Sequence, residues 1–261
     1  MTPDATVTVI VPSLDEAQNL EEVLPKIPAQ YELIIVEGSR YRRTSELVRA
    51  LRPDARVIEQ TRYGKGNAVA CGFAAASGDI IVMFDADGSA DPAEIPRFVQ
   101  AIADGAMFAK GTRSRGGGSD DITHLRNAGN VGLTLLTNLM FGVRYTDLCY
   151  GYNALHRDLL PLLDLPDTVP VGGTPQWGDG FEIETLINVR AALAGVPITE
   201  VPSHERSRIH GVSNLNAWRD GKRVLATLIR ERRTAKERLI AVDPMHQADT
   251  PLSVRGQFPL S

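Results

Sequence analysis

Apolar positions along this chain follow two rhythms that take turns. Short runs such as Val7-Thr8-Val9-Ile10-Val11-Pro12, Leu33-Ile34-Ile35-Val36 and Ile80-Ile81-Val82-Met83-Phe84 read as strands buried on both faces. A shorter strand is expected at Arg56-Val57-Ile58-Glu59. Between these runs the apolar residues fall at helical spacing. Leu20, Val23, Leu24 and Ile27 mark a helix over Asn19 to Ile27, and a second covers Thr44 to Leu51. Gly64-Lys65-Gly66-Asn67 opens an alanine-rich helix through Ala76, with Gly78 in the position of a C-cap. Asp91-Pro92-Ala93-Glu94 carries an N-cap, a proline at N1 and a glutamate at N3, the start of a further helix. Strand and helix thus alternate four times in the first 105 residues. That alternation predicts an α/β fold with a mainly parallel sheet and helices on both faces.

The second half is less regular. Ala106 to Ala109 reads as a strand, Arg115 to Asp121 as a glycine-rich loop, and Leu125 to Phe141 as a helix. A proline- and glycine-rich connection covers Asp164 to Gly178, followed by a helix from Asp179 to Ala194 and a strand at Ile198 to Val201. Arg206 to Ser213 is a basic, polar loop, and Leu215 to Arg233 again shows helical spacing. The pattern then dissolves, so residues 1–235 are expected to form one domain and 236–261 a flexible tail.

Composition sharpens this only slightly. The 261 residues are 43% hydrophobic and 23% charged, with a formal net charge of -4, as in ordinary globular proteins and unlike nucleic-acid binders. Cys71 and Cys149 are too few for a disulfide framework and fit no metal spacing, so reduced thiols in a cytoplasmic protein are expected. The first residues do not read as a signal peptide, and no apolar run approaches the ~18 residues that span a bilayer. Any membrane contact is expected to be peripheral. Nothing in the sequence fixes an oligomeric state.

The chemistry concentrates after the strands. Asp15-Glu16, Glu37-Gly38 and Asp85-Ala86-Asp87 each follow one, and sequential parallel strands bring such loops to one edge of the sheet. Asp85 and Asp87 bracket one small residue, and Gly88 then allows a sharp turn. Two hard oxygen donors there suit Mg²⁺ or Mn²⁺ shared with a phosphate-bearing substrate. The competing reading is a polar strand end that caps the next helix.

Taken in order, the motifs resemble family 2 glycosyltransferases of the GT-A (Rossmann-like) fold. These are a first strand ending in Pro-x-x-x-Glu, a second ending in an acidic residue with Gly-Ser, the Gly-Lys-Gly helix start and Asp-Ala-Asp. Gly111-Thr112-Arg113, Asp147 with Gly151-Tyr152, Gly180-Phe181-Glu182-Ile183-Glu184 and Arg208-x-x-Gly211-x-Ser213 look like the dolichyl-phosphate mannosyltransferase branch. The resemblance covers roughly residues 6 to 233. It implies that Pro12, Leu14, Glu16 and Glu37 hold the nucleoside of a nucleotide-sugar; Lys65, between two glycines as in a phosphate loop but without the full pattern, reads as positioning the nucleotide side. It further implies that Asp85 and Asp87 bind the metal with Ser89 beside them, and that Arg113 and Arg208, with Ser213 in the same motif, meet the phosphates. Arg126 and Asn130 lie on the helix that faces the acceptor phosphate in that branch. The sequence departs from the family pattern after the second strand, where Glu37 stands alone and Arg40-Tyr41-Arg42-Arg43 replaces a further acidic residue.

The implied reaction is metal-dependent and inverting, from GDP-mannose or UDP-glucose to a polyprenyl phosphate. Three alternatives stand beside it: a small soluble acceptor, a sugar nucleotidyltransferase and an inactive binding module. A hydroxyl acceptor needs a general base, for which Asp179, Glu182 and Glu184 are the candidates and Asp179 and Glu182 the first choice. The same pair also fits a helix capping box. From Arg219 to Arg238 eight Lys or Arg face Asp220, Glu231 and Glu237. That basic helix fits packing on the domain and also peripheral contact with an anionic membrane.

Overall fold

The computed structural model describes residues 5–38, 43–169, 174–212 and 217–247. The first half contains β1 (Val7–Ser13), α1 (Ala17–Val23), β2 (Glu32–Glu37), α2 (Arg43–Leu51), β3 (Arg56–Glu59), α3 (Lys65–Ala75) and β4 (Ile80–Met83). It is followed by α4 (Ile95–Ala103), β5 (Phe108–Thr112), β6 (Gly118–Ser119), α5 (His124–Phe141) and β7 (Asn153–His156). The chain then adds α6 (Leu160–Leu163), α7 (Ile183–Leu193), β8 (Ile198–Pro202), β9 (His204–Glu205) and α8 (Ala217–Gln247).

Seven strands form one sheet in the order β3-β2-β1-β4-β7-β5-β8, and β6 pairs with β9 apart from it. All pairings in the large sheet are parallel except those of β7, which runs antiparallel to both β4 and β5. The strands expected from apolar runs are buried on both faces because consecutive side chains feed opposite layers. Val9, Val11, Ile80 and Val82 join a cluster with Leu20, Val48 and Phe98. Ile10, Ile81 and Met83 join Val69, Phe73, Ile183 and Ile187 on the other side. Helices α1, α2 and α4 therefore cover one face, and α3 and α7 the other. A third cluster links α5 to α7 and α8 through Tyr145, Leu148, Val189, Val224 and Leu228.

Several expected boundaries move. Pro25 ends α1 early, and Leu24–Lys26 continues as a 3-10 turn. Asp91 accepts from Ala93 N (3.0 Å) as expected of an N-cap, but it caps a turn before α4 begins at Ile95. Gly78 does not cap α3, which ends at Ala75. Its missing side chain lets the backbone pass Thr8, whose N would lie 2.7 Å from an added Cβ. The strand expected at 106–109 starts at Phe108 and includes the fully buried Lys110. The final helix runs beyond residue 235 to Gln247, into the stretch read as a tail. Strand β7 has no apolar signature, because its Asn153 is satisfied internally. The Asn153 side chain accepts from Gly111 N (3.1 Å) and donates to Tyr150 O (3.3 Å).

The order of the strands positions the site. From β1 the chain proceeds outward through β2 and β3, then returns to place β4 on the other flank of β1. The crevice at such a switch point, outside the carboxyl ends of the strands, is where open α/β sheets bind ligands. Here Pro12 to Glu16 and Asp85 to Asp87 border it.

Gly72 tests how tightly this frame is packed. A Cβ there would sit well inside contact distance of Ile10 Cγ2 and 3.3 Å from Val36 Cγ2. Alanine gains about 1 kcal/mol of helix propensity over glycine. Overpacking a core typically costs about 1–3 kcal/mol. Gly72→Ala is therefore expected to lower the urea midpoint at unchanged m-value.

Candidate active site

Beyond Met83 the ladder to β1 continues one step further, with Phe84 N donating to Ile10 O (3.0 Å), before the chain turns through Asp85-Ala86-Asp87. Asp87 Oδ1 accepts from Ser89 N (3.0 Å) and Ser89 Oγ (2.7 Å), closing a turn over Gly88 at φ +79°. The hydroxyl of Ser89 is thus engaged with Asp87 and steadies it. The loop after β9 is tied to the same turn: Arg206 N donates to Ser89 O (2.8 Å) and Ile209 N to Asp87 O (3.1 Å).

Each aspartate faces a cation. Lys65 Nζ lies 2.7 Å from Asp85 Oδ1 and 2.6 Å from Glu184 Oε1. Arg208 contacts Glu16 at 2.7 Å and Asp87 at 3.2 Å. Burial works against the charge on Lys65, but Asp85 and Glu184 outweigh it and raise its pKa. Arg208 is raised in the same way by its bond to Glu16 and the nearby Asp87, against the effect of burial. Glu184 is raised by its own burial and by the charge of Asp85, with Lys65 acting in the opposite sense. Asn19, which carried no signal in the sequence, fixes the arginine loop. It bonds Glu16, accepts from His210 N (2.8 Å) and donates to His210 O (3.1 Å).

Arg113 is held on three sides. It makes a fork to Asp147 (2.7 and 3.0 Å), meets Glu205 at 3.0 Å and lies over the Tyr150 ring. Burial raises the Asp147 pKa, but the Arg113 bonds override it and bring it down to about 2. Asn130 donates to the same carboxylate (2.8 Å) and accepts from Cys149 N (3.1 Å), so it orients Asp147 as well as lining a cavity. Burial, with Asp147 and Glu184 nearby, pushes the Cys149 thiol up to about 12, which makes it a poor nucleophile. Arg126 has a looser partner, the exposed Asp121 at 3.2 Å.

Two cavities meet here. A polar one of about 580 Å³ is lined by Pro12, Leu14, Glu16, Lys65, Asp85, Asp87, Ser89 and Arg208, together with Tyr63 and Gln60, which the sequence did not single out. An apolar groove of about 410 Å³ runs between α5 and α8 past Leu125, Leu133, Trp218 and Leu225. Both are lined by Arg113, Arg126, Cys149, Phe181 and Glu184, which form the junction.

Two of the expected catalytic residues are placed elsewhere. Asp179 is 2% exposed and forks onto Arg62 (2.8 Å twice), whose side chain is fully buried. Glu182 is 0% exposed, pairs with Arg223 (2.8 Å), and accepts from Gly178 N (3.0 Å) and Gly180 N (3.3 Å). Neither lines either cavity. The capping-box reading fails too, since α7 starts at Ile183 with no side-chain cap. Of the three base candidates the structure brings only Glu184 to the site. Glu37 is buried at the end of β2, where Ser13 Oγ donates to it (3.3 Å), and it does not line the polar cavity. The Gly64-Lys65-Gly66 start of α3 is not a phosphate loop: Gly66 N and Asn67 N donate to Asp179 O (2.7 and 3.2 Å). Added Cβ atoms at Gly64 and Gly66 would collide with the backbone of residues 178–179, which explains both glycines. Ser213 and the segment 39–42 lie outside the described residues.

The donor set fits a magnesium- or manganese-like ion. Among the described residues no group of three or more His, Cys, Asp or Glu could enclose a metal. An ion at Asp85 and Asp87 would take its other ligands from diphosphate oxygens and water, the usual manner of Mg²⁺ in phosphate-transfer sites.

Comparison with known proteins shows the family and the fold. Residues 8–162 match the family described as Glycosyl transferase family 2. An uncharacterized glycosyltransferase of Mycobacterium tuberculosis is 30% identical over 222 residues, covering 80% of this chain and 89% of its own length. A dolichyl-phosphate hexose transferase of Haloferax volcanii is 27% identical over 226 residues, covering 85% and 92%. Among solved structures, glucosyl-3-phosphoglycerate synthase of Mycobacterium tuberculosis, in complex with Mn²⁺, UDP and phosphoglyceric acid, superposes with a TM-score of 0.65. It is 24% identical and covers 87% of this chain and 78% of its own.

The buried pair gives a direct test of the reassignment. Removing one partner of a buried ion pair strands the other charge and costs about 3–5 kcal/mol. Asp179→Ala is expected to lower unfolding stability by that order in urea titrations. A base at the protein surface would give a loss near zero.

Proposed function

The chain belongs to glycosyl transferase family 2 and is a glycosyltransferase, and from that premise we propose that it transfers a hexose from a nucleoside-diphosphate sugar to a polyprenyl phosphate. A glycosyltransferase releases a nucleoside diphosphate, so the nucleotidyltransferase alternative falls away. The observation that carries the acceptor reading is the apolar groove that opens into the polar cavity through Arg113, Arg126 and Glu184. A polyprenyl phosphate has the matching division, an apolar chain ending in a dianionic head. The sequence relationship to a dolichyl-phosphate hexose transferase over most of both chains supports the same acceptor class.

In this reading the donor diphosphate lies in the polar cavity beside Asp85 and Asp87. Mg²⁺ or Mn²⁺ held by these two carboxylates would neutralise charge on the leaving diphosphate. Lys65 and Arg208 reach the same cavity and add fixed positive charge where negative charge develops. The acceptor phosphate sits at the junction. Arg113, clamped by Asp147 and Glu205, supplies a rigid positive wall there. Arg126, paired with exposed Asp121 at 3.2 Å, would turn toward the head group.

This acceptor removes the need for a general base. A phosphate oxygen is already ionised near neutral pH and attacks unaided. Asp179 and Glu182, the first-choice bases, are committed to Arg62 and Arg223. Glu184 remains, and its carboxylate is tied to Lys65, where it orients the amine beside Asp85.

The decisive assay follows transfer from UDP-glucose and GDP-mannose, with Mn²⁺ or Mg²⁺, to a polyprenyl phosphate and to small phosphorylated acceptors. Lipid-linked hexose is the expected product. Transfer confined to a small soluble acceptor would overturn the reading. A general base typically contributes about 10²–10⁴-fold. Glu184→Gln is therefore expected to retain transfer to the lipid phosphate within roughly tenfold, short of that range. Asp87→Ala is expected to lose about 10²-fold or more, the scale of removing one transition-state stabiliser.

A further inference from the structure

Helix α5 has two apolar faces. Inward, Leu133, Leu136, Met140 and Phe141 pack against Tyr145, Leu148, Val189, Val224 and Leu228. Outward, Leu125, Val131, Leu135 and Leu139 are 59%, 49%, 64% and 84% exposed. Positions 125, 128, 132, 135 and 139, occupied by Leu, Ala, Gly, Leu and Leu, follow steps of three and four and form one stripe about 21 Å long at 1.5 Å per residue. None of the eighteen residues of α5 is acidic. A helix on the surface of a globular domain ordinarily turns charge outward, so a stripe like this marks a contact surface.

The neighbouring α8 extends the face. Trp218, Leu225 and Ile229 are 71%, 39% and 41% exposed, and Trp218, Lys222 and Leu225 line the groove opposite Leu125 and Gly129. At the same helical spacing follow exposed Arg232, Arg233 and Lys236. Of the carboxylates on α8 with described side chains, Asp220 and Glu231 are buried, the latter against Arg190, and Glu237 is exposed. Asp120 and Asp121, in the loop before α5, contact His204 (3.0 Å) and Arg126 (3.2 Å).

We infer that the outward faces of α5 and α8 dock the protein on an anionic bilayer, with the groove between them open to the lipid. This rests on the polyprenyl-phosphate reading and adds the surface from which that acceptor enters. Charge decides between the bilayer and a second copy of the chain. A twofold contact through this face would set each basic row against its like. Anionic head groups complement it, with aromatic and aliphatic side chains entering the interface and basic ones reaching the head groups. The groove then leads an acceptor from the bilayer toward Arg126 without taking its apolar chain through water.

The test is flotation of the full chain with vesicles of phosphatidylcholine alone and of phosphatidylcholine with phosphatidylglycerol. Binding to the anionic vesicles is expected, weakened by added salt and absent from the neutral ones. Leu135 and Leu139 line neither cavity, so the double substitution Leu135→Glu with Leu139→Glu should leave the melting temperature unchanged. It should lower the vesicle-bound fraction roughly tenfold. It should keep transfer to a water-soluble short-chain prenyl phosphate and lose transfer to a long-chain acceptor embedded in vesicles. Failure of the wild-type chain to float, equal flotation of the double variant, or a dimer in light scattering that the substitutions split would each overturn the docking inference. Absence of transfer to the short-chain prenyl phosphate would instead overturn the acceptor reading, and flotation would still decide the docking surface.

Discussion

Glu16, Asp85, Asp87 and Glu184 are among the six carboxylates that line one cavity at the carboxyl edge of the sheet. Two like charges about 4 Å apart repel by about 4 kcal/mol near a protein surface. The fold meets this with cations that each serve two acids. Lys65 lies between Asp85 and Glu184, and Arg208 between Glu16 and Asp87. The same residues then become the phosphate-facing charges of the proposed reaction, because they sit where a diphosphate would share a metal with the aspartates. Structural charge balance and proposed transition-state stabilisation are therefore two consequences of one arrangement.

Behind that layer, a second set of ion pairs acts on the backbone. Arg62 with Asp179 holds residues 176–182 against the start of α3, Arg223 with Glu182 ties the same segment to α8, and that segment in turn aims Lys65 and Glu184. Arg113 with Asp147 and Glu205 ties β5 to the loop before β7 and to β9. Buried pairs are weak contributors to net stability, yet removing one partner is costly. Their value here is positional, since they determine which side chains reach the cavity. The acids that serve as clamps are not available as bases, in keeping with an acceptor that needs none.

The relation between α5 and α8 joins architecture to substrate. Their inward faces complete a core cluster, while their outward faces leave apolar surface beside basic charge. No helix among the described residues is long and apolar enough to cross a membrane. In the proposed reading the acceptor is reached from the surface of the bilayer, and the groove between these helices gives that surface a route to the junction at Arg126.

Much of this was legible in the residues themselves. Both-face apolar runs identify β1, β2 and β4, because a strand covered on two sides has no polar face to interrupt it. The order of acidic and glycine-bearing loops brought Glu16, Asp85 and Asp87 to one cavity, and family membership and the mostly parallel sheet agree with the GT-A expectation. Tertiary structure decided what local patterns leave open. Strand β7 is central although its residues carry polar groups, because Asn153 finds partners only in the folded sheet. Asp179, Glu182 and Glu184 look alike along the chain, since spacing reports a helix start and not which carboxylate meets an arginine from elsewhere in the fold. That choice belongs to Arg62 and Arg223, which lie 117 and 41 residues away in sequence. Contacts over such separations are set by packing, and no local rhythm of apolar and polar positions encodes them.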